Sequence, residues 1–349
     1  MADCSSPLQV QVQEAYLAGQ PITIKGGGSK FPVVEGSRYI DIREHSGIVE
    51  YDPSELVVVV RTGTRLKDLI EALAEQNQIL GFEPPFANDN ATVGGMVATG
   101  FSGSARPFRG GVRDFILGAK LINGKGEVVQ FGGKVMKNVA GFDLFRPMAG
   151  AMGTLGVLVE VSLRLIPRPS TQEIVSIGVQ DMEQAIEQFT RLSFSAATLS
   201  AAHWVDSQIN LRFSGSPEAV AVDVASIGSI EKGNDEDALF TSIDQRCHPF
   251  FMKGEVIYRC DLPPASARLR LGDEQLIDWG GAQRFIKLTD SNEEELRSEV
   301  TLLGGRVSKL DANGLISPLL NVPKELHQIH QLIKASFDPA GILNPQWSV

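Results

Sequence analysis

The chain is short of cysteine. It has three in 349 residues, Cys4, Cys247 and Cys260, too far apart to form a CxxC pair. That excludes a disulfide framework and gives no ligand spacing for a zinc or iron–sulfur site. Histidine is nearly as scarce, at five, and aromatics make up 7%. No uninterrupted apolar run approaches the roughly 18 residues needed to cross a bilayer. The N-terminus, MADCSSPLQVQVQ, has no cationic segment leading into an apolar one, so it does not read as a secretion signal. Excess positive charge is missing too. The net charge is −10 and the pI about 5.1, which argues against a binder of phosphate backbones. The expectation is a soluble chain of a reducing, cytoplasmic compartment.

What is present is glycine, 35 residues, against an ordinary background of 43% hydrophobic and 21% charged residues. Sixteen glycines fall within 81–156. Charge is uneven as well. Residues 1–168 carry 17 basic and 17 acidic side chains, whereas 169–349 carry 15 and 25. The change falls at Pro167-Arg168-Pro169, where X-Pro pairs end regular elements. The length suits two domains. The expected division is a first domain over 1–168, a second over 169–323, and a C-terminal helix and tail, 324–349, that returns to the first.

Periodicity places the elements. Leu56–Val60 reads as a buried strand, followed by a helix over Arg65–Gln76 with Leu66, Leu69, Ile70 and Leu73 on one face. Ile116–Ile122 and Glu127–Phe131 read as strands paired around Asn123-Gly124-Lys125-Gly126. Leu155–Ile166 is a long strand whose odd-numbered positions, Leu155 to Leu165, form one apolar face. Beyond Pro169, strands (174–179, 208–213, 255–259, 283–288) alternate with helices (182–192, 217–227, 291–303), the last opened by a Ser291–Glu294 capping box. A final helix spans Lys324–Phe337. The fold class is α+β.

Two glycine loops carry the chemistry. Lys25-Gly26-Gly27-Gly28-Ser29-Lys30 follows a short strand, and three consecutive glycines let backbone N–H groups converge on one concavity. A diphosphate suits it; a surface turn is the alternative. Ala91-Thr92-Val93-Gly94-Gly95-Met96 has the spacing of a turn whose N–H groups face an anion at a helix start, or of a tight helix start packed on a strand. Neither matches the Rossmann or P-loop fingerprint, so the pair points to one extended dinucleotide.

These segments, with FRGGVRDFILGAKLINGKGEVVQFGGKVMKNVAGFDL and GTLGVLVEVSLRLIPRP, resemble the FAD-binding domain of the vanillyl-alcohol-oxidase/PCMH flavoprotein superfamily. More narrowly, GDEQLIDWGGAQRFIKL (272–288) and FDPAGILNPQW (337–347) resemble the FAD-binding subunits of bacterial glycolate dehydrogenases, also called glycolate oxidases. The resemblance implies a PCMH-type FAD domain of two α+β subdomains plus a smaller α+β cap. It implies Gly26, Gly27, Gly28 and Ser29 as the first pyrophosphate loop, and Thr92, Gly94 and Gly95 as the second. Gly103 and Gly110 would lie beside the isoalloxazine, and Gly153, Gly156 and Val157 along the cofactor. Asn344-Pro345 implies a tail folded back on the FAD domain. The family's covalent His or Cys attachment points are missing, which implies non-covalent FAD. The histidine-rich HxGDGN-type stretch of larger hydroxy-acid relatives is missing as well.

Oxidising a 2-hydroxy acid needs a cation for the carboxylate, a base for the hydroxyl proton and a flavin for the hydride. Arg106 and Arg109 are candidates for the cation, with a surface ion pair as the alternative. His203 and His248 are candidates for the base, with a core or surface histidine as the alternative. His327 and His330 lack a third ligand, so no metal is expected. The resemblance implies a larger FAD-containing catalytic subunit and an iron–sulfur subunit passing electrons to quinone, with glycolate as substrate and glyoxylate as product. The membrane would be reached only through those partners. Two other readings stay open: a stand-alone dehydrogenase of a D-lactate-like hydroxy acid, and a non-catalytic interaction subunit with a vestigial flavin site.

Overall fold

The computed structural model describes residues 2–29, 38–85, 88–134, 142–227, 236–252, 256–272, 274–288, 292–310, 317 and 322–347. The chain divides into two compact units. The first comprises 1–102, 110–168 and 323–349, and the second 103–109 and 169–322. Residues 103–109, on the first-domain side of the expected division, thus cluster with the second unit.

The first unit is built on a five-stranded antiparallel sheet in the order Ile48–Asp52, Val57–Arg61, Val157–Arg164, Ile116–Ile122, Val128–Gly132. Four consecutive valines, Val57 to Val60, are buried on both faces of their strand, as an interior strand requires. Helix Leu66–Ala74 lays Leu66, Leu69 and Leu73 on the sheet in the main apolar core. The apolar face expected along Leu155–Leu165 is divided. Between Lys120 and Leu121 the pairing slips by one residue opposite Glu160 and Leu158. Such a bulge interrupts the period-two alternation. Val157 and Val159 therefore pack with helix Ser5–Ala18 in a second cluster, while Val161, Leu163 and Leu165 join the main one. A two-stranded parallel ribbon pairs Thr23–Lys25 with Tyr39–Asp41 and leads into the first glycine loop. The C-terminal helix, Lys324–Phe337, leans Ile333 and Phe337 on the main core. The chain then turns back to set Leu343 beside Ile22 in a parallel bridge.

The second unit is a seven-stranded antiparallel sheet ordered Thr171–Gly178, Gln208–Gly215, Leu199–Val205, Gln275–Asp278, Gln283–Leu288, Val256–Asp261, Arg306–Leu310. Helix Met182–Ser195 buries Met182, Ala185, Ile186, Phe189 and Leu192 against it, an i, i+3, i+4, i+7 stripe. The helix expected from Ser291 starts at Glu293 after an Asn292 cap, and Ser291 lies outside the described residues. The α+β class expected from the sequence is the class observed.

Candidate functional site

The first unit holds a cleft enclosing about 850 Å³ of space, its open mouth included. Four short segments form its walls. The first is Thr23 to Ser29, the root and body of the triple-glycine loop; the second is Thr92 with one side of helix Val93–Thr99, from Gly94 and Gly95 to Ala98 and Thr99. The third is the turn Met152-Gly153 with Gly156, and the fourth is the C-terminal Asn344, Gln346 and Trp347. Ile42 and Leu158 add apolar surface.

The triple-glycine loop has the geometry of an anion cradle. Among the described residues, nothing accepts a hydrogen bond from the N–H groups of Gly26, Gly27, Gly28 or Ser29. Backbone donors left open in a concavity suit the oxygens of a diphosphate. Each glycine is required for a different reason. A Cβ on Gly27 would lie 1.3 Å from the Asn90 carbonyl oxygen, so this loop and the segment before the second are pressed backbone to backbone. A Cβ on Gly26 would meet the Thr92 hydroxyl at 2.7 Å. Gly28 adopts φ +67°, and a Cβ there would meet no atom of the described residues within 4 Å. Lys25 lines the same wall, its ammonium 4.9 Å from the Tyr39 ring centre. Lys30 lies outside the described residues.

The second loop is built differently. The Thr92 side chain caps the helix by accepting from Gly95 N–H at 3.1 Å. Val93 N–H donates to the Thr64 carbonyl at 2.9 Å and Gly94 N–H to the Thr62 carbonyl at 2.7 Å. The N–H groups expected to face an anion are thus consumed inside the protein. Gly94 is a glycine because a Cβ would stand 2.9 Å from Thr62 Cβ and 3.0 Å from the end of Ile42. This segment gives the cleft its shape, and the first loop gives it donors.

Nine of the sequence-derived cofactor residues come together here: Gly26, Gly27, Gly28, Ser29, Thr92, Gly94, Gly95, Gly153 and Gly156. Three do not line the cleft. Val157 is fully buried in the cluster beneath helix Ser5–Ala18. Gly110 is bound by a local turn, with φ +100° and Asp114 3.2 Å from where its Cβ would be. Gly103 belongs to the second unit. The C-terminal Asn344, Gln346 and Trp347 line the cleft, and nothing in their local sequence pattern marks them as cleft residues.

The candidates for acid–base chemistry all lie in the second unit. Arg106 places its guanidinium over the Trp279 ring at 4.4 Å. Arg109 closes the same short helix, Arg106–Arg109. His203 is fully buried, edge-on to Phe240 at 4.4 Å, and neither ring nitrogen has a hydrogen-bond partner. Burial first, then the neighbouring His248 and Arg212, push its pKa down to about 3, so it is a neutral core histidine. His248 accepts from Phe250 N–H through Nδ1, and burial lowers its pKa too. His327 engages Gln331 on its own helix, and among the described residues no group of three or more His, Cys, Asp or Glu side chains is placed to hold a metal. Likewise, no helix of the described residues is long and apolar enough to cross a membrane.

A glycine-built cleft with open backbone donors suits the diphosphate of a nucleotide cofactor. A family model described as FAD binding domain matches residues 4–132, which include both glycine loops. The chain is 36% identical over 348 residues to glycolate oxidase subunit GlcE of Escherichia coli (strain K12), covering 98% of this chain and 97% of that protein. It belongs to the family of that subunit. It is also 30% identical over 173 residues to glycolate oxidase subunit GlcD of Bacillus subtilis (strain 168), spanning 48% of this chain and 36% of the relative. Among solved structures, alkyldihydroxyacetonephosphate synthase superposes with a TM-score of 0.67 at 14% identity, covering 96% of this chain and 73% of that one, a likeness of fold.

Proposed function

We propose that this chain is the FAD-binding subunit of a glycolate dehydrogenase complex that oxidises glycolate to glyoxylate. The observation that carries the reading is the end-to-end identity with a protein named as a glycolate oxidase subunit. The open N–H groups of Gly26 to Ser29 support it, because they meet the one demand a flavin dinucleotide makes of backbone, a donor-lined concavity for its diphosphate. Gly26, Gly27, Gly28 and Ser29 hold the diphosphate, with Lys25 adding positive charge. Thr92, Gly94 and Gly95 shape the adjoining wall, and Gly153 and Gly156 leave room along the cofactor.

The cofactor is held without a covalent link. Among the described residues, those lining the cleft include neither a histidine nor a cysteine, the side chains that covalently held flavins of this family attach to. FAD supplies, when bound, an acceptor for the hydride of a 2-hydroxy acid. The three cysteines are free, and Cys260 is buried with its thiol pKa pushed far up by desolvation. Electrons therefore leave through another chain: a larger FAD-containing subunit of the kind the partial GlcD match suggests, then an iron–sulfur subunit and quinone. The membrane is reached through those partners.

The test is spectroscopic. The purified chain should carry flavin absorbance, and acid precipitation should release all of it to the supernatant. Anaerobic glycolate should bleach the flavin of the assembled complex. Purified chain that takes up no FAD even when it is supplied in excess would sink the reading.

A further inference from the structure

We infer that Asn344 is a positioning residue for the cofactor cleft: its side-chain amide ties the root of the triple-glycine loop to the Met152-Gly153 turn on the opposite wall. This rests on the proposal that the cleft holds FAD.

The amide has two ends, and each is used across a large sequence distance. Oδ1 accepts from Ile24 N–H at 2.7 Å, two residues before Gly26. Nδ2 donates to the Met152 carbonyl at 2.6 Å. Asn344 is 6% exposed. Its backbone repeats the tie, donating to the Ile22 carbonyl at 3.0 Å.

The turn it holds would not keep its shape unaided. Met152 has φ 52°, in the left-handed region that a bulky side chain enters only at a cost, and Gly153 follows at φ +72°. Such a conformation persists where surrounding contacts over-determine it. Here the Met152 N–H is held by the Ala98 carbonyl at 2.8 Å and the Met152 carbonyl by Asn344. Gly153 is a glycine because a Cβ would come within 2.6 Å of Asn344 Nδ2.

Residue type is specified twice over. Asn344 itself has φ 43°, which asparagine tolerates better than most side chains. It also needs one acceptor and one donor at fixed separation, which an amide supplies and a carboxylate does not. The consequence is that the root of the donor loop and the Met152-Gly153 turn are joined directly through one side chain from the far end of the sequence.

The experiment uses the full chain with three substitutions. Asn344→Gly keeps the backbone conformation and removes both side-chain bonds. Asn344→Asp keeps the acceptor and puts a carboxylate against the Met152 carbonyl. Leu69→Ala, in the core of the same unit and away from the cleft, matches the loss of stability. FAD dissociation constants are read by flavin fluorescence quenching, and melting temperatures on the cofactor-free proteins. Asn344→Gly should weaken FAD by roughly tenfold or more, while Leu69→Ala, with an equal or larger fall in melting temperature, changes it less than about threefold. The ratio of the Asn344→Asp constant to that of the unaltered protein should fall from about pH 8 to about pH 5, as a buried carboxyl gains the proton with which it can donate to Met152. Equal weakening by Asn344→Gly and Leu69→Ala would overturn the inference, and so would a pH-independent Asp ratio. If the glycine variant does not fold, the Asp ratio decides. Failure of the unaltered chain to bind FAD is a different outcome and counts against the function proposed above.

Discussion

The two glycine-rich loops of the first unit look alike in sequence and differ in physical purpose. Gly26–Ser29 keeps its N–H groups without acceptors among the described residues, whereas Val93, Gly94 and Gly95 spend theirs on Thr64, Thr62 and the Thr92 cap. In the first loop glycine serves a ligand. In the second it serves packing, because a Cβ at Gly94 would strike Thr62 and Ile42. A run of glycines therefore reports close backbone approach without telling what approaches, another strand of the same chain or a bound molecule.

That comparison can be broken at several points. The largest effect is expected for Gly27→Ala, which sits where the two segments touch. Its Cβ would overlap the Asn90 carbonyl, and overpacking against backbone costs about 3 kcal/mol or more. Thermal unfolding should show the loss, and the purified variant should carry no flavin.

Gly94→Ala should cost about 2 kcal/mol of stability through its contacts with Thr62 and Ile42. The folded fraction should still bind FAD within a few-fold of the unaltered protein, as measured by flavin titration. Flavin loss far exceeding the loss of stability would show that the second loop serves the ligand after all.

Acid extends the comparison to the second unit, where buried polarity resides in side chains. His203 has a folded pKa lowered to about 3 against 6.5 for the unfolded chain. Stability from a depressed base is full above the unfolded value and is lost as pH falls toward the folded one. Between pH 6.5 and 5 the loss is about 2 kcal/mol at 1.36 kcal/mol per pH unit. His45 in the first unit works in the same direction, its pKa lowered by burial while Nδ1 accepts from Cys4 N–H and Nε2 faces the Val159 carbonyl. Denaturant midpoints measured between pH 7 and 5 should fall, and His203→Leu should flatten the second unit's share of the slope.

Gly28→Ala is the smallest and the most informative. Among the described residues nothing obstructs its Cβ, so the cost to the fold is the left-handed backbone, about 1 kcal/mol. Gly28 also lines the cleft. FAD affinity should therefore fall further than stability does, read as a dissociation constant against a melting temperature. An affinity no weaker than the stability change would mean that the cofactor does not approach Gly28.

Much of the framework is legible in local sequence. Ile116–Ile122, Gln283–Leu288 and Lys324–Phe337 have the same limits by periodicity and in the structure. Helix Ser5–Ala18 is harder to see. Gln9-Val10-Gln11-Val12-Gln13 alternates with a strand's period, yet the burial of Leu8, Val12 and Ala15 is helical. The bulge opposite Lys120 is invisible in the strand that it splits, since an extra residue in a ladder is defined only by the partner strand.

The sequence by itself determined the α+β class, the presence of two glycine loops, and a family that the comparisons bear out. These rest on residue types and short-range spacing, which a chain carries whether folded or not. Tertiary structure alone decided which loop keeps its donors open, that Val157 belongs to a core, and that Asn344 joins two walls of a cleft more than 300 residues after the first of them begins. The availability of an N–H group depends on whether a carbonyl from elsewhere in the chain has already claimed it, and such pairings exist only once distant segments have met.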